Sequence, residues 1–278
     1  MRRFIQRLFN NPRGKDATRI NFFVIGVQKG GTTALYRYLS QHPEIQMSSP
    51  RKEVHYFDNE DIDWKTTDHN ELHKFFDMSA KEVIRGEATP IYIYWPWALP
   101  RLYKYNPHSK LILCLRHPTY RAYSGYRFQL AKNHETLSFE EAISTIGRQR
   151  VKNSPFGVHR IYSYVERGFY AEQISRLLNL FPRKNILFLR TDMLWTNTSI
   201  VLALVERFLG INNIVSKSAQ KKYIVPGQSA EIGPISSIAR TKLNNIFNSD
   251  IMQTSKLTQI DLSDWCNSGY CEPMQPDK

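Results

Sequence analysis

Cysteine is scarce in this chain, three in 278 residues, and three thiols cannot build a disulfide framework. Cys114 lies in the apolar run LILCL, where a thiol behaves as a small buried hydrophobe. Cys266 and Cys271 are close enough in sequence to pair, but no histidine stands near them to complete a four-ligand zinc site, so no metal is expected. No apolar run approaches the ~18 to 20 residues of a membrane span, and the basic N-terminus is not followed by the apolar stretch of a secretory signal. Internal repeats, low-complexity tracts and breaks in composition are missing too. These absences indicate neither a membrane-spanning nor a secreted nor a repeat protein. They predict a cytoplasmic chain with no membrane partner, built as one domain over residues 20–278 behind a basic tail, residues 1–19. What is present is 41% hydrophobic content, enough for a core and too much for a disordered chain.

Charge is plentiful and uneven. The formal net charge is +13. In the tail, Arg2, Arg3, Arg7, Arg13, Lys15 and Arg19 face only Asp16, a pattern that a hydrated basic arm explains. No aromatic-basic recognition motif accompanies it, so no nucleic-acid partner is expected. Residues 53–71 have the opposite sign, with Glu53, Asp58, Glu60, Asp61, Asp63, Asp68 and Glu71 against Lys65 alone.

Short apolar strands alternate with helical stripes, the signature of an α/β fold with a parallel sheet covered by crossover helices. Residues 20–26 (INFFVIG), 110–115 (KLILCL) and 185–189 (NILFL) read as strands, mostly apolar as expected when both faces of a sheet are covered. Leu35, Tyr38 and Leu39 mark one face of a helix over residues 33–41. Ser138 and Glu141 carry a capping-box signature that opens a helix running to about Ile146. Ile174, Leu177, Leu178 and Phe181 stripe a helix over residues 170–181, stopped by Pro182, and another over 199–209 ends at Gly210. Residues 92–100, rich in Trp, Tyr and Pro, read as an irregular connection into a short helix. The chain after Gly210 reads as less regular.

The most informative stretch is Gly26-Val27-Gln28-Lys29-Gly30-Gly31-Thr32-Thr33, where a strand hands over to a helix. Glycines let backbone N–H groups approach an anion, the helix N-terminus adds a favourable field, and Lys29, Thr32 and Thr33 add donors. The segment therefore reads as a phosphate or sulfate cradle. It lacks the lysine of a Walker motif, since Thr32 stands in that place and Lys29 comes earlier. A second anion site follows the strand KLILCL, where Arg116-His117-Pro118 leads through a restricted turn to Ser124 at the beginning of a helix. Open parallel sheets bind ligands at that strand edge, so the two sites would face each other.

Five blocks occur in order: VIGVQKGGTTALYRYLSQHPEI, KEVHYFD, GEATP, KLILCLRHPTYRAYSGY and RGFYAEQISRLLNLFPRKNILFLRTDML. Over roughly residues 20 to 210 the chain resembles the PAPS-dependent sulfotransferases, in particular the branch holding the heparan sulfate sulfotransferases and their bacterial relatives. The resemblance implies a three-layer P-loop-like fold with a central parallel sheet flanked by helices. It implies PAPS as donor and PAP as product, with the 5′-phosphosulfate on Lys29, Gly30, Gly31, Thr32 and Thr33 and the 3′-phosphate on Arg116 and Ser124. The family's acidic base maps to Glu53, and His55 in the same block either shares that role or orients Glu53. The chain departs from the family near its end. The Lys-Gly-Arg loop of the glucosaminyl members has no counterpart in KKYIVPGQSAEIGPIS, which offers Lys221 and Lys222 instead.

Sulfuryl transfer asks mainly for positioning and for stabilisation of charge on the leaving phosphate, which Lys29 and loop amides can supply without a divalent ion. The acidic stretch after Glu53, with Asp58, Glu60, Asp61 and Asp63 beside Tyr56, Phe57 and Trp64, would repel a polyanion. It favours a small neutral or cationic acceptor in secondary metabolism, sulfated on a hydroxyl or an amine or carbamoyl nitrogen, for instance a guanidinium alkaloid. Glycan sulfation is the alternative within the class. Outside it stands a P-loop nucleotide kinase, with Asp192 after the strand NILFL as its one acidic candidate for magnesium. The sequence leaves the oligomeric state open.

Overall fold

The computed structural model describes residues 19–80, 83–218 and 232–273. The basic tail up to residue 18, and Lys221 and Lys222, lie outside the described residues. Five parallel strands form the sheet: β1 (Phe22–Gly26), β2 (Ile45–Met47), β3 (Ile84–Ala88), β4 (Lys110–Leu115) and β5 (Ile186–Arg190), in the order β2-β3-β1-β4-β5. The helices of six residues or more are α1 (Thr32–Leu39), α2 (Ala98–Tyr105), α3 (Pro118–Ala131), α4 (Thr145–Lys152), α5 (Tyr170–Leu180), α6 (Thr191–Thr196), α7 (Thr198–Leu209) and α8 (Ser237–Thr258). This is the α/β architecture expected of the sequence, a parallel sheet between two helical layers.

Side-chain alternation builds the layers. On β1, Phe22 and Val24 join the cluster under α1 and α7, while Phe23 and Ile25 join the larger one that includes α2, α3, α5 and α8. β4 divides likewise, Ile112 and Cys114 against Leu111, Leu113 and Leu115. Both faces are buried, which is why these strands carry apolar residues throughout.

Two expectations need correcting, and one open question is answered. The capping box at Ser138 is formed, with Ser138 N–H donating to Glu141 Oε2 at 2.9 Å, but its helix ends at Ala142. Ser144, accepting from Gly147 N–H, caps a separate helix, α4. The region after Gly210 is not irregular throughout, because α8 spans 22 residues. Its buried stripe of Ala239, Leu243, Phe247, Asp250, Ile251, Thr254 and Thr258 has helical spacing but mixed polarity, so apolar periodicity alone conceals it. The Asp250 carboxylate accepts from Tyr170 N–H at 2.7 Å and Ala171 N–H at 3.2 Å, closing the N-terminus of α5. Finally, Cys266 and Cys271 are both free.

All five strands point one way, so their C-terminal ends share an edge. From it emerge the phosphate loop after β1, residues 48–58 after β2, Thr89 after β3, Arg116 after β4 and Thr191 after β5. Parallel sheets place ligands at such an edge.

Candidate active site

The loop after β1 is fixed by its own backbone and by β4. Val27 N–H donates to Cys114 O and Gly30 N–H to Val27 O, both at 2.9 Å. A Cβ on Gly30 would lie 2.7 Å from Cys114 O, so only glycine fits there. Gly31 precedes α1 with φ 79°, and no side chain caps the helix, which leaves the first-turn amides to an anion. Lys29 also has positive φ, 67°, an uncommon conformation that recurs at functional sites. Its ammonium sits 4.6 Å over the Phe128 ring. Burial, and then the positive charges of Arg116, Arg127 and Lys132, lower its pKa to about 8, with Glu53 opposing.

Arg116 leaves the end of β4 and donates from Nη1 to Lys29 O at 2.9 Å, so its guanidinium adjoins the loop after β1. Its Nε and Nη2 hold Glu272 at 2.8 and 2.6 Å. Ser124 is not at the helix start, because Pro118 begins α3 and puts Ser124 in its second turn. Residues 120, 124 and 128 share one helical face. On it Tyr120 touches the C-terminal segment and Phe128 lies under Lys29, placing Ser124 between them in sequence.

Glu53, His55 and Asp58 form a chain of charges on residues 48–58. His55 Nε2 lies 3.2 Å from Glu53 Oε2, and His55 Nδ1 lies 2.9 Å from Asp58 Oδ2. Burial alone would lower the pKa of His55, but its hydrogen bonds to Asp58 and Glu53 raise it to about 9, making it an imidazolium near neutrality. Burial alone would raise Glu53, yet the hydrogen bond from His55 and the charge of Lys52 hold it below the usual carboxylate range. His55 therefore stands as a cation between two carboxylates, Glu53 and Asp58.

The sequence does not reveal what holds this chain of charges in place. Val54 N–H donates to Glu87 Oε1 at 3.3 Å, His55 N–H to Thr89 Oγ1 at 3.3 Å and Tyr56 N–H to the Tyr92 hydroxyl at 3.1 Å. Thr89 in turn donates to Glu87. Glu87 is fully buried, and burial raises its pKa to about 7. GEATP in the sequence holds two of these residues, but nothing local shows what they grip.

Part of the acidic stretch is paired within the fold, while Asp61 and Asp63 stay exposed. Asp58 is fully buried and paired with Arg160 as well as His55, and Glu60 is held by Arg101 and Trp95 Nε1. Asp192 is likewise engaged, by Arg190, Met193 N–H and the Tyr270 hydroxyl, so it does not stand ready as a magnesium ligand. Among the described residues, no cluster of three or more His, Cys, Asp or Glu has the arrangement of a metal site, and no helix is long and apolar enough to cross a membrane.

A family model described as the sulfotransferase domain matches residues 19–265. Mouse heparan sulfate glucosamine 3-O-sulfotransferase 5 is 30% identical over 203 residues, which cover 70% of this chain and 54% of the mouse protein. The membrane-associated sulfotransferase kil1 of Dictyostelium discoideum is 28% identical, covering 70% of this chain and 56% of its own. The chain thus spans little more than half the length of these relatives. Among solved structures, a sulfotransferase from Alicyclobacillus acidocaldarius superposes with a TM-score of 0.73 and 30% identity, covering 90% of this chain and 100% of that one.

Proposed function

The chain belongs to the sulfotransferase domain family, and from that premise we propose that it moves a sulfuryl group from PAPS to an acceptor hydroxyl. The observation that carries this reading is the convergence, at one sheet edge, of an uncapped helix N-terminus, Lys29, Arg116 and the Glu53–His55–Asp58 chain.

In the proposed step the acceptor oxygen attacks sulfur, the bond from sulfur to the phosphate oxygen breaks, and its electron pair stays on PAP. Lys29 and the first-turn amides of α1 stabilise that growing charge. Glu53 takes the acceptor proton. His55, held by Asp58, keeps one oxygen of Glu53 fixed and supports the carboxylate. The 3′-phosphate sits on Arg116, with Ser124 on the neighbouring face of α3.

Pairing of Asp58 and Glu60 weakens the charge argument for a cationic acceptor, which then rests on exposed acids such as Asp61 and Asp63. Arg116, Arg127 and Lys132 each act on Lys29, and such a field suits a neutral or anionic acceptor. Heparan sulfate, named in the relatives, is one acceptor of that kind. The test is mass spectrometry after incubation with PAPS and a panel of glycan fragments, neutral alcohols and guanidinium compounds. Addition of one SO3 unit to a glycan or neutral alcohol, with release of PAP, is the expected result. Sulfation of the guanidinium compounds alone would reverse the acceptor assignment, and absence of PAP release with every acceptor would count against the reaction.

A further inference from the structure

Beyond residue 265, where the family match ends, the described chain continues from its last helical turn to Pro273 without helix or strand. This segment folds back over the end of β4. The Tyr270 ring stacks on His117, with centroids 4.9 Å apart and planes at 12°. Its hydroxyl donates to Asp192 Oδ2 at 3.1 Å, and its carbonyl accepts from the Tyr120 hydroxyl at 3.0 Å. Glu272 then meets Arg116 in a two-point pair, and the two side chains are only 12% and 13% exposed. Because Arg116 Nη1 is tied to Lys29 O, the rest of the guanidinium fork faces Glu272.

A guanidinium fork offers the same paired donors to a carboxylate and to a phosphate, so the two compete for one seat. We propose that residues 267–273 form a strap that occupies the donor's 3′-phosphate seat with the carboxylate of Glu272, which must leave Arg116 before the donor can bind. This rests on the donor reading above. The strap has no backbone ladder of its own, so opening it is a local event far easier than unfolding, and buried Trp265 holds the chain before it. A nucleotide with a 3′-phosphate brings more charge than a carboxylate and takes the seat. One without it offers Arg116 nothing in exchange.

The experiment is calorimetric titration of the full chain, wild type and Glu272→Gln, with PAP and with adenosine 5′-monophosphate, and Tyr270→Ala as a second variant that loosens the strap without touching Arg116. Removing the competing charge should tighten PAP on the order of ten-fold in Glu272→Gln, less in Tyr270→Ala, with the monophosphate unchanged. PAP binding that is unchanged or weaker in Glu272→Gln, while still preferred over the monophosphate, would overturn the strap and leave the donor reading standing. No preference for PAP in any of the three proteins would overturn the donor reading and the strap with it.

Discussion

Raising the pH should disable the donor site at a point set by Lys29. Its ammonium lies against the face of Phe128 among positive neighbours, and burial followed by Arg116, Arg127 and Lys132 brings its pKa down to about 8. The sign follows directly: below that value the loop carries its cation, and above it the anionic donor meets a neutral amine. In the free protein kcat/KM for the donor should therefore fall roughly ten-fold per pH unit once the pH exceeds that value. At saturating donor the fall should come later, because the bound phosphates favour the ammonium. His55 loses its proton near 9, so turnover alone would mix the two groups. PAP binding followed by calorimetry separates them, since His55 lies on the acceptor side. Lys29→Arg, which stays charged, should bind PAP with an affinity nearly independent of pH over this range. If wild-type PAP affinity were flat from about pH 7 to 9.5, or if Lys29→Arg lost it in parallel, the assignment of Lys29 to the donor would be refuted.

Glu53→Gln keeps the volume but cannot take the acceptor proton, so turnover should drop by ~100-fold or more with PAP affinity intact; rates within about three-fold of wild type would remove Glu53 as the base. Glu87→Ala frees Val54 N–H and unseats the Glu53 loop, lowering kcat by about 10- to 100-fold without changing PAP affinity. Glu87→Gln, which keeps an oxygen at that position, should recover most of the loss, and equal defects in both variants would argue against a positioning role. Asp250→Ala leaves two buried N–H groups at the start of α5 without their acceptor, for a loss of about 1 to 3 kcal/mol in urea unfolding. Asp250→Asn should lose less, and no shift in midpoint for Asp250→Ala would show that the cap contributes nothing.

The strands that the sequence discloses, β1, β4 and β5, are the sheet's apolar ones. β3 reads IRGEA and escapes notice because its charges find their partners outside the strand. Arg85 donates to the carbonyls of Asp77 and Ala80, and Glu87 accepts from Val54 N–H. The same cause hides α8, whose buried Asp250 finds its partners in Tyr170 N–H and Ala171 N–H. A polar residue looks like surface until its partner is known, and the partner is a tertiary fact. The phosphate loop was legible because its chemistry is contiguous. Phe128, Glu87 and Glu272 were not, since each reaches the site only through folding.

Charge shows the same limit most clearly. A run of seven acids against Lys65 alone looks like a negative surface, yet Arg160 and Arg101 arrive from other parts of the chain to pair with Asp58 and Glu60. Pairing reduces the field of both members, whereas Asp61 and Asp63, left in water, act through solvent screening. A charge count from the sequence therefore overstates the field wherever folding brings an opposite charge to contact distance. Burial is the largest cause of the depressed pKa of Lys29, and neighbouring charge comes second. Arg116, Arg127 and Lys132 lower it further and Glu53 opposes them, so the charges acting on Lys29 are mostly positive despite the acidic sequence that follows the loop in the chain.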